Sequence, residues 1–310
     1  MPNMQVNSIY HVQLSQLMSD PAPKTIITEV KKIFCYHYPS GSFGDIYKNF
    51  LLIKKLFEGK FPGYKACNTE YHNFTHTIDI LLVTARLIDG YNIKNVPLPA
   101  QLAINLLNAA LFHDTGYIQE KADDEGTGAK YTSIHVKRSI QFLNKHQAAF
   151  KIDPDQIMTM SNLILCTDLN VRFETITFSS PEEQLAGCIL GTSDLLSQMS
   201  DREYLEKLLF LYYEFKEAGI EGFNIEFDII KKTLGFYEFM KKRFSESYVN
   251  TYMYALYHFK KRFMVNQNLY IEAIERHIGY LRRIIDDDST NFRHKLRRKT
   301  RVHTYPKTKS

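Results

Sequence analysis

Cysteine is scarce in this chain. Its four thiols, Cys35, Cys67, Cys166 and Cys188, stand far apart and form no Cys-x-x-Cys pair, which argues against both a disulfide framework and a thiolate zinc cluster. A reducing cytosol is the expectation. No stretch approaches the roughly 18 uninterrupted apolar residues that a bilayer span requires, and no basic segment followed by an apolar run opens the chain. The protein is therefore expected to be soluble, unexported and cytoplasmic. Internal repeats, low-complexity segments and runs of alternating β-branched residues are also missing, so an all-α fold is expected.

What is present is a globular composition. With 310 residues, 44% of them hydrophobic, the chain can bury a substantial core. The net charge of +5 is unevenly spread: residues 291–310 hold eight of the 39 Lys and Arg and no acid, leaving 31 basic against 34 acidic residues elsewhere. The run from Arg293 to Arg301 could touch nucleic acid or an anionic membrane surface. No aromatic residue is interleaved there for base stacking, and a solvated terminus is the plainer reading.

Residues 1–24, interrupted by Pro21 and Pro23, read as an arm, residues 25–288 as one helical catalytic domain, and residues 289–310 as a basic tail. Within the domain, helices are expected over Thr25 to Tyr38, Asp45 to Phe57, Thr69 to Asp89 and Ala100 to Leu111. A polar, acidic loop from Tyr117 to Tyr131 reads as solvated. Further helices follow: one from His135 to about His146, then Pro154 to Leu165, Pro181 to Met199, Arg202 to Ala218, Ile225 to Ser247 and Ser247 to Ile285. The aromatic stripes of the last third read as core, and pairing of two subunits through them stays open.

Three places carry candidate chemistry. In Tyr71-His72-Asn73-Phe74-Thr75-His76-Thr77-Ile78-Asp79 the two histidines stand four apart, so on a helix both rings project from one face with Asp79 near the same stripe. His113 and Asp114 are adjacent at the end of an apolar helix; both can ligate one metal only if the helix ends there, and Gly116 is available to stop it. Asp194 sits inside an otherwise apolar stretch, where an unpaired carboxylate is costly and a partner is needed. Neutral imidazoles and carboxylates from three helices suit a divalent ion such as zinc, iron, manganese or magnesium.

The order His76, His113-Asp114, Asp194 resembles the HD-domain superfamily of metal-dependent phosphohydrolases. The stretch from Tyr71 to Asp79 is similar to the Tyr-His-Asn-x-x-His-x-x-Asp signature of one branch, the class I cyclic-nucleotide phosphodiesterases. Thr167-Asp168, Ser193-Asp194-Leu195-Leu196, Tyr213-Glu214-Phe215 and Leu234-Gly235-Phe236 resemble further segments of that branch in the same order. The resemblance implies a compact multi-helix bundle and a small-molecule phosphoester substrate, cyclic nucleotides included, cleaved by a metal-activated water. It implies that His76, His113, Asp114 and Asp194 bind a first ion, zinc or else iron or manganese, and that Asp114 bridges to a second, magnesium or manganese. His72 would then protonate the leaving oxygen, with Tyr71, His135, Thr167, Asp168, Thr233 and Phe236 lining the substrate.

The chain also departs from that pattern. Thr115-Gly116-Tyr117 follows the His-Asp pair where the branch has a second His and Pro-Gly, and Thr132-Ser133-Ile134-His135 stands for Glu-Asn-His-His. Thr233 replaces a purine-contacting glutamine, and a hydroxyl cannot offer the paired donor and acceptor of an amide. The alternative these departures leave open is a catalytically degenerate HD-domain protein acting as a ligand-binding or interaction module.

Overall fold

Helix α3 (Phe74–Lys94) is the element against which the others are arranged. From Ile78 to Gly90 nearly every position is buried, so the helix lacks a solvated face and belongs at the centre. In the computed structural model, which describes residues 12–17, 22–287 and 291–296, it is surrounded by α1 (Pro23–His37), α4 (Ala100–Phe112), α7 (Pro181–Ser200) and α10 (Tyr254–Phe263). Fully buried Ile78, Ile80, Leu81 and Leu87 each contribute about 1.5–3 kcal/mol of transfer free energy. Gly90 permits the closest crossing: a Cβ there would lie 1.8 Å from the Tyr254 carbonyl oxygen.

The remaining helices are α2 (Gly44–Phe57), α5 (His135–Phe150), α6 (Pro154–Leu165), α8 (Tyr204–Glu217), α9 (Glu226–Glu246), α11 (Leu269–Asp286) and α12 (Phe292–Leu296). The described residues thus form an all-α fold without a strand, and no helix among them is long and apolar enough to cross a membrane. Within residues 1–24, Val12, Leu14 and Leu17 pack on the core, and residues 1–11 and 18–21 lie outside the described set. Of the basic run, Arg293 pairs with Glu226, Lys295 pairs with Asp287, and Leu296 is buried. Residues 297–301 lie outside the described set.

Several expected boundaries move. α3 begins at Phe74, not at Thr69, because Asn73 caps it: its side-chain oxygen accepts from the His76 N–H at 3.2 Å. The helix expected from Ser247 to Ile285 is broken. Val249 and Asn250 adopt positive φ, and so does Met264, whose backbone turn separates α10 from α11, which Asn268 then caps. The acidic loop from Tyr117 to Tyr131 is largely exposed over residues 120–126, as expected, yet tied down. Asp123 accepts from Lys130 and Tyr131, Gln119 donates to the loop's own carbonyls, and Thr127 is held by Glu217 of α8.

A polar knot fastens α1 and α10 to α3. Asp89, wholly buried, faces His37 at 2.7 Å and His258 at 2.7 Å, and the Arg262 guanidinium grips both of its oxygens at 3.0 and 2.5 Å. These donors hold its carboxyl far below the usual range although burial pushes the other way. The knot lies on α3 well beyond the histidine motif, and it fixes the helix that presents that motif.

Candidate metal centre

His76 stands in the first turn of α3, and His113 is the residue that ends α4. After His113 in helical geometry (φ −55°, ψ −33°), Asp114 turns to φ −107°, ψ 7° and the chain enters a short 3₁₀ turn, Thr115–Tyr117. This break brings both side chains of an adjacent pair to one point. Gly116 does not end the helix through a left-handed conformation. Its place is a close approach instead: a Cβ there would lie 2.0 Å from the His135 carbonyl oxygen. Ser139 of α5 ties the turn, accepting from the Gly116 N–H at 2.9 Å and donating to the His113 carbonyl at 2.5 Å. Docked in this way, α5 sets its first residue, His135, beside Asp114.

One potential ligand atom from each of His76, His113 and Asp114 converges within 4.8 Å of the others. Asp114 Oδ2 lies 3.1 Å from His113 Nε2 and 3.5 Å from His76 Nε2, and Asp194 Oδ1 lies 3.6 Å from His76 Nε2. All four residues are at least nine-tenths buried. His76 Nε2, His113 Nε2 and Asp114 Oδ2 are buried and have no hydrogen-bond partner. Leaving a buried polar atom unsatisfied costs about 1–3 kcal/mol, so three of them aimed at one point fit a cation that they would share. This buried group could hold a metal ion.

The imidazoles are oriented from behind. His113 Nδ1 donates to the Ala110 carbonyl at 2.9 Å, and His135 Nδ1 donates to the Thr132 carbonyl at 2.7 Å. In each ring Nε2 is then the nitrogen directed at Asp114, and it is the one free to ligate a metal once deprotonated. His135 Nε2 is 3.7 Å from Asp114 Oδ1, so the two carboxylate oxygens face different imidazoles. Burial lowers the pKa of His135 and keeps it neutral. For His113 burial acts in the same sense, but the Asp114 carboxylate overcomes it and lifts the ring to about 9. Asp114 is itself held well below the carboxylate range by His113 against the opposing effect of burial.

His72 lies before α3, not on it. It is nevertheless kept beside His76, ring centroids 5.7 Å apart, by Glu214 of α8. One Glu214 oxygen accepts from His72 Nδ1 at 2.6 Å and the other from the Tyr71 N–H at 2.7 Å. Burial would lower the pKa of His72, yet the charge and hydrogen bond of Glu214 raise it. Tyr117 contacts both rings, with centroids 4.3 Å from His72 and 4.6 Å from His135, which lie 6.2 Å from each other, and its hydroxyl is 3.5 Å from His72 Nε2. The Tyr71 hydroxyl donates to Gln198, whose amide donates at 2.7 Å to Asp194 Oδ1, so the carboxylate has the partner its burial demanded.

The structure thus brings together Tyr71, His72, His76, His113, Asp114, His135 and Asp194. The other expected residues are engaged elsewhere. Thr167 donates to the Ile164 carbonyl, Asp168 accepts from the Asn170 N–H, and Thr233 donates to the Ile229 carbonyl. Phe236 is half-buried and stacks with Phe239. Asp79 is not in the cluster; the groups that act on it are Asp201, Lys207 and Arg86. Gln198 and Ser139 were not singled out from the sequence, and Glu214 and Tyr117 were named only within the segments Tyr213-Glu214-Phe215 and Thr115-Gly116-Tyr117, with no role assigned. Only Gln198 left a local signal, an amide four residues after Asp194 and therefore on the same helical face.

Residues 25–275 match the Npun_R2479-like family, and the chain belongs to it. No curated protein and no solved structure matches the chain.

Proposed function

We propose that this member of the Npun_R2479-like family is a metal-dependent phosphohydrolase that cleaves a small phosphoester, with 3',5'-cyclic nucleotides as the first class to try. The observation that carries the reading is the meeting of three orphaned ligand atoms, on His76, His113 and Asp114, with an imidazole backed by a carboxylate, His72 with Glu214. Its resemblance to the HD-domain phosphohydrolases, and to the class I cyclic-nucleotide phosphodiesterases among them, supports the same reading.

His76, His113, Asp114 and Asp194 would hold the first ion, zinc or else iron or manganese, and the second oxygen of Asp114, facing His135, would reach a second ion, magnesium or manganese. When bound, such an ion supplies Lewis acidity toward a phosphoryl oxygen and makes water more acidic. The chain's own residues do the rest. His72, its pKa raised by Glu214, carries a proton on Nε2 and gives it to the departing oxygen. Glu214 holds the ring in that orientation and, through the Tyr71 N–H, fixes the backbone on which the ring sits. Tyr117 packs against both His72 and His135 and buttresses the two rings.

The test is a panel of cyclic mononucleotides, linear phosphodiesters and nucleotides, each with Mg²⁺, Mn²⁺ and Zn²⁺. We expect metal-dependent turnover that falls by about 10²–10⁴ in His72→Ala, the usual contribution of a general acid, while metal content stays unchanged. Absence of turnover on the whole panel overturns the reading. A second reading, a catalytically degenerate module in which the ion only holds the fold, draws on the burial of the cluster. Stoichiometric metal with no turnover would support it.

A further inference from the structure

The three atoms that meet most tightly exclude Asp194, whose carboxylate stands at the edge of the group. What holds it there is Gln198, one turn along α7. Its amide is engaged at both ends: Nε2 donates to Asp194 Oδ1 at 2.7 Å, and Oε1 accepts from the Tyr71 hydroxyl at 3.3 Å. Turned over, the amide would set its oxygen against the Asp194 carboxylate, an acceptor only, and lose that bond. Tyr71 is itself buried and pinned through its N–H to Glu214. The chain of contacts therefore runs from the His72 support, through Tyr71 and Gln198, to Asp194, the fourth residue of the cluster.

The geometry points to Gln198 as a positioning residue that sets the Asp194 carboxylate for the metal ion, an inference that rests on the metal reading given above. Without the amide, Asp194 is free to rotate about its side-chain bonds, and the ion loses a preset oxygen. Groups that orient metal ligands typically change affinity by about 10–100-fold when removed. Gln198 acts through Asp194 alone, so the two contributions must not add.

The experiment measures the Kd for Zn²⁺ and for Mn²⁺ by chelator competition, on the full chain, for wild type, Gln198→Met, Asp194→Ala and the double variant; Gln198→Ala replaces the Met variant should that one fail to fold. We expect Gln198→Met to weaken binding by about 10–100-fold. In the Asp194→Ala background the same change should leave Kd within about twofold, the scatter of an uncoupled site. Equal losses in the two backgrounds, or wild-type affinity in Gln198→Met, overturn the proposal and leave the metal centre standing. A wild-type chain that binds neither ion overturns the metal reading and this inference with it.

Discussion

The Asp114 carboxylate favours the protonated form of His113, and an ion entering the cluster has to displace that proton. His113 is lifted to about 9 by its neighbour although burial opposes this, so at neutral pH the ring is charged and must become neutral to bind. Affinity for Zn²⁺ should therefore rise with pH toward about 9 and level off above it. Isothermal calorimetry at pH 7 in two buffers of different ionisation enthalpy should show about one proton released per ion. Identical enthalpies in both buffers would remove His113 from the ligand set. The same residue shows what adjacency in a sequence can convey: a His-Asp pair at the end of an apolar helix announced a turn, and the turn is there. The raised pKa of His113 was not legible, since it depends on how the Asp114 carboxylate faces the ring inside the fold.

At the scale of elements, the Thr115–Tyr117 turn and α5 are one construction, because the turn's backbone is satisfied by Ser139 and its close packing depends on Gly116. Gly116→Ala would drive a methyl group into the backbone of His135 and Ser139. It should cost about 1–3 kcal/mol of stability, the usual cost of overpacking, read by urea denaturation, and should shift His135 away from Asp114. Unchanged stability would mean that α5 can recede freely. Helix positions were largely legible from apolar spacing and from helix-opening prolines such as Pro154 and Pro181. The start of α3 was misread because Thr69 and Glu70 mimic a helix opening, whereas Asn73 makes the actual cap. The break at Met264 carries no glycine, and its left-handed turn leaves no compositional trace. Glu214 stood in a quoted segment, but its role was not legible: periodicity reports which face of α8 is buried, not which loop that face meets.

The molecule as a whole should respond to pH through Asp79 on α3. Burial, and next to it the charge of Asp201, lifts this carboxyl to about 7, while Lys207 and Arg86 act in the opposite direction. A folded-state pKa above the unfolded value means that the native state binds the proton more tightly. The stability this contributes is present below about pH 4 and is lost as pH rises through about 7. Asp79→Asn should therefore be more stable than wild type at pH 8 and match it near pH 4 in chemical denaturation; a gain of the same size at both values would contradict the shift.

The contacts that complete the site also impose an order on its assembly. His76, His113 and Asp114, which converge through the directly packed α3 and α4, and Ser139 of α5, which ties their turn, have all been made once residue 139 has. Glu214 reaches back to Tyr71 and His72 across 143 and 142 residues. Closing so large a loop is entropically expensive and comes late in folding. During synthesis the growing chain would therefore own its cation trap well before the carboxylate that raises the pKa of His72, and metal capture would precede, and could template, the folding of the rest.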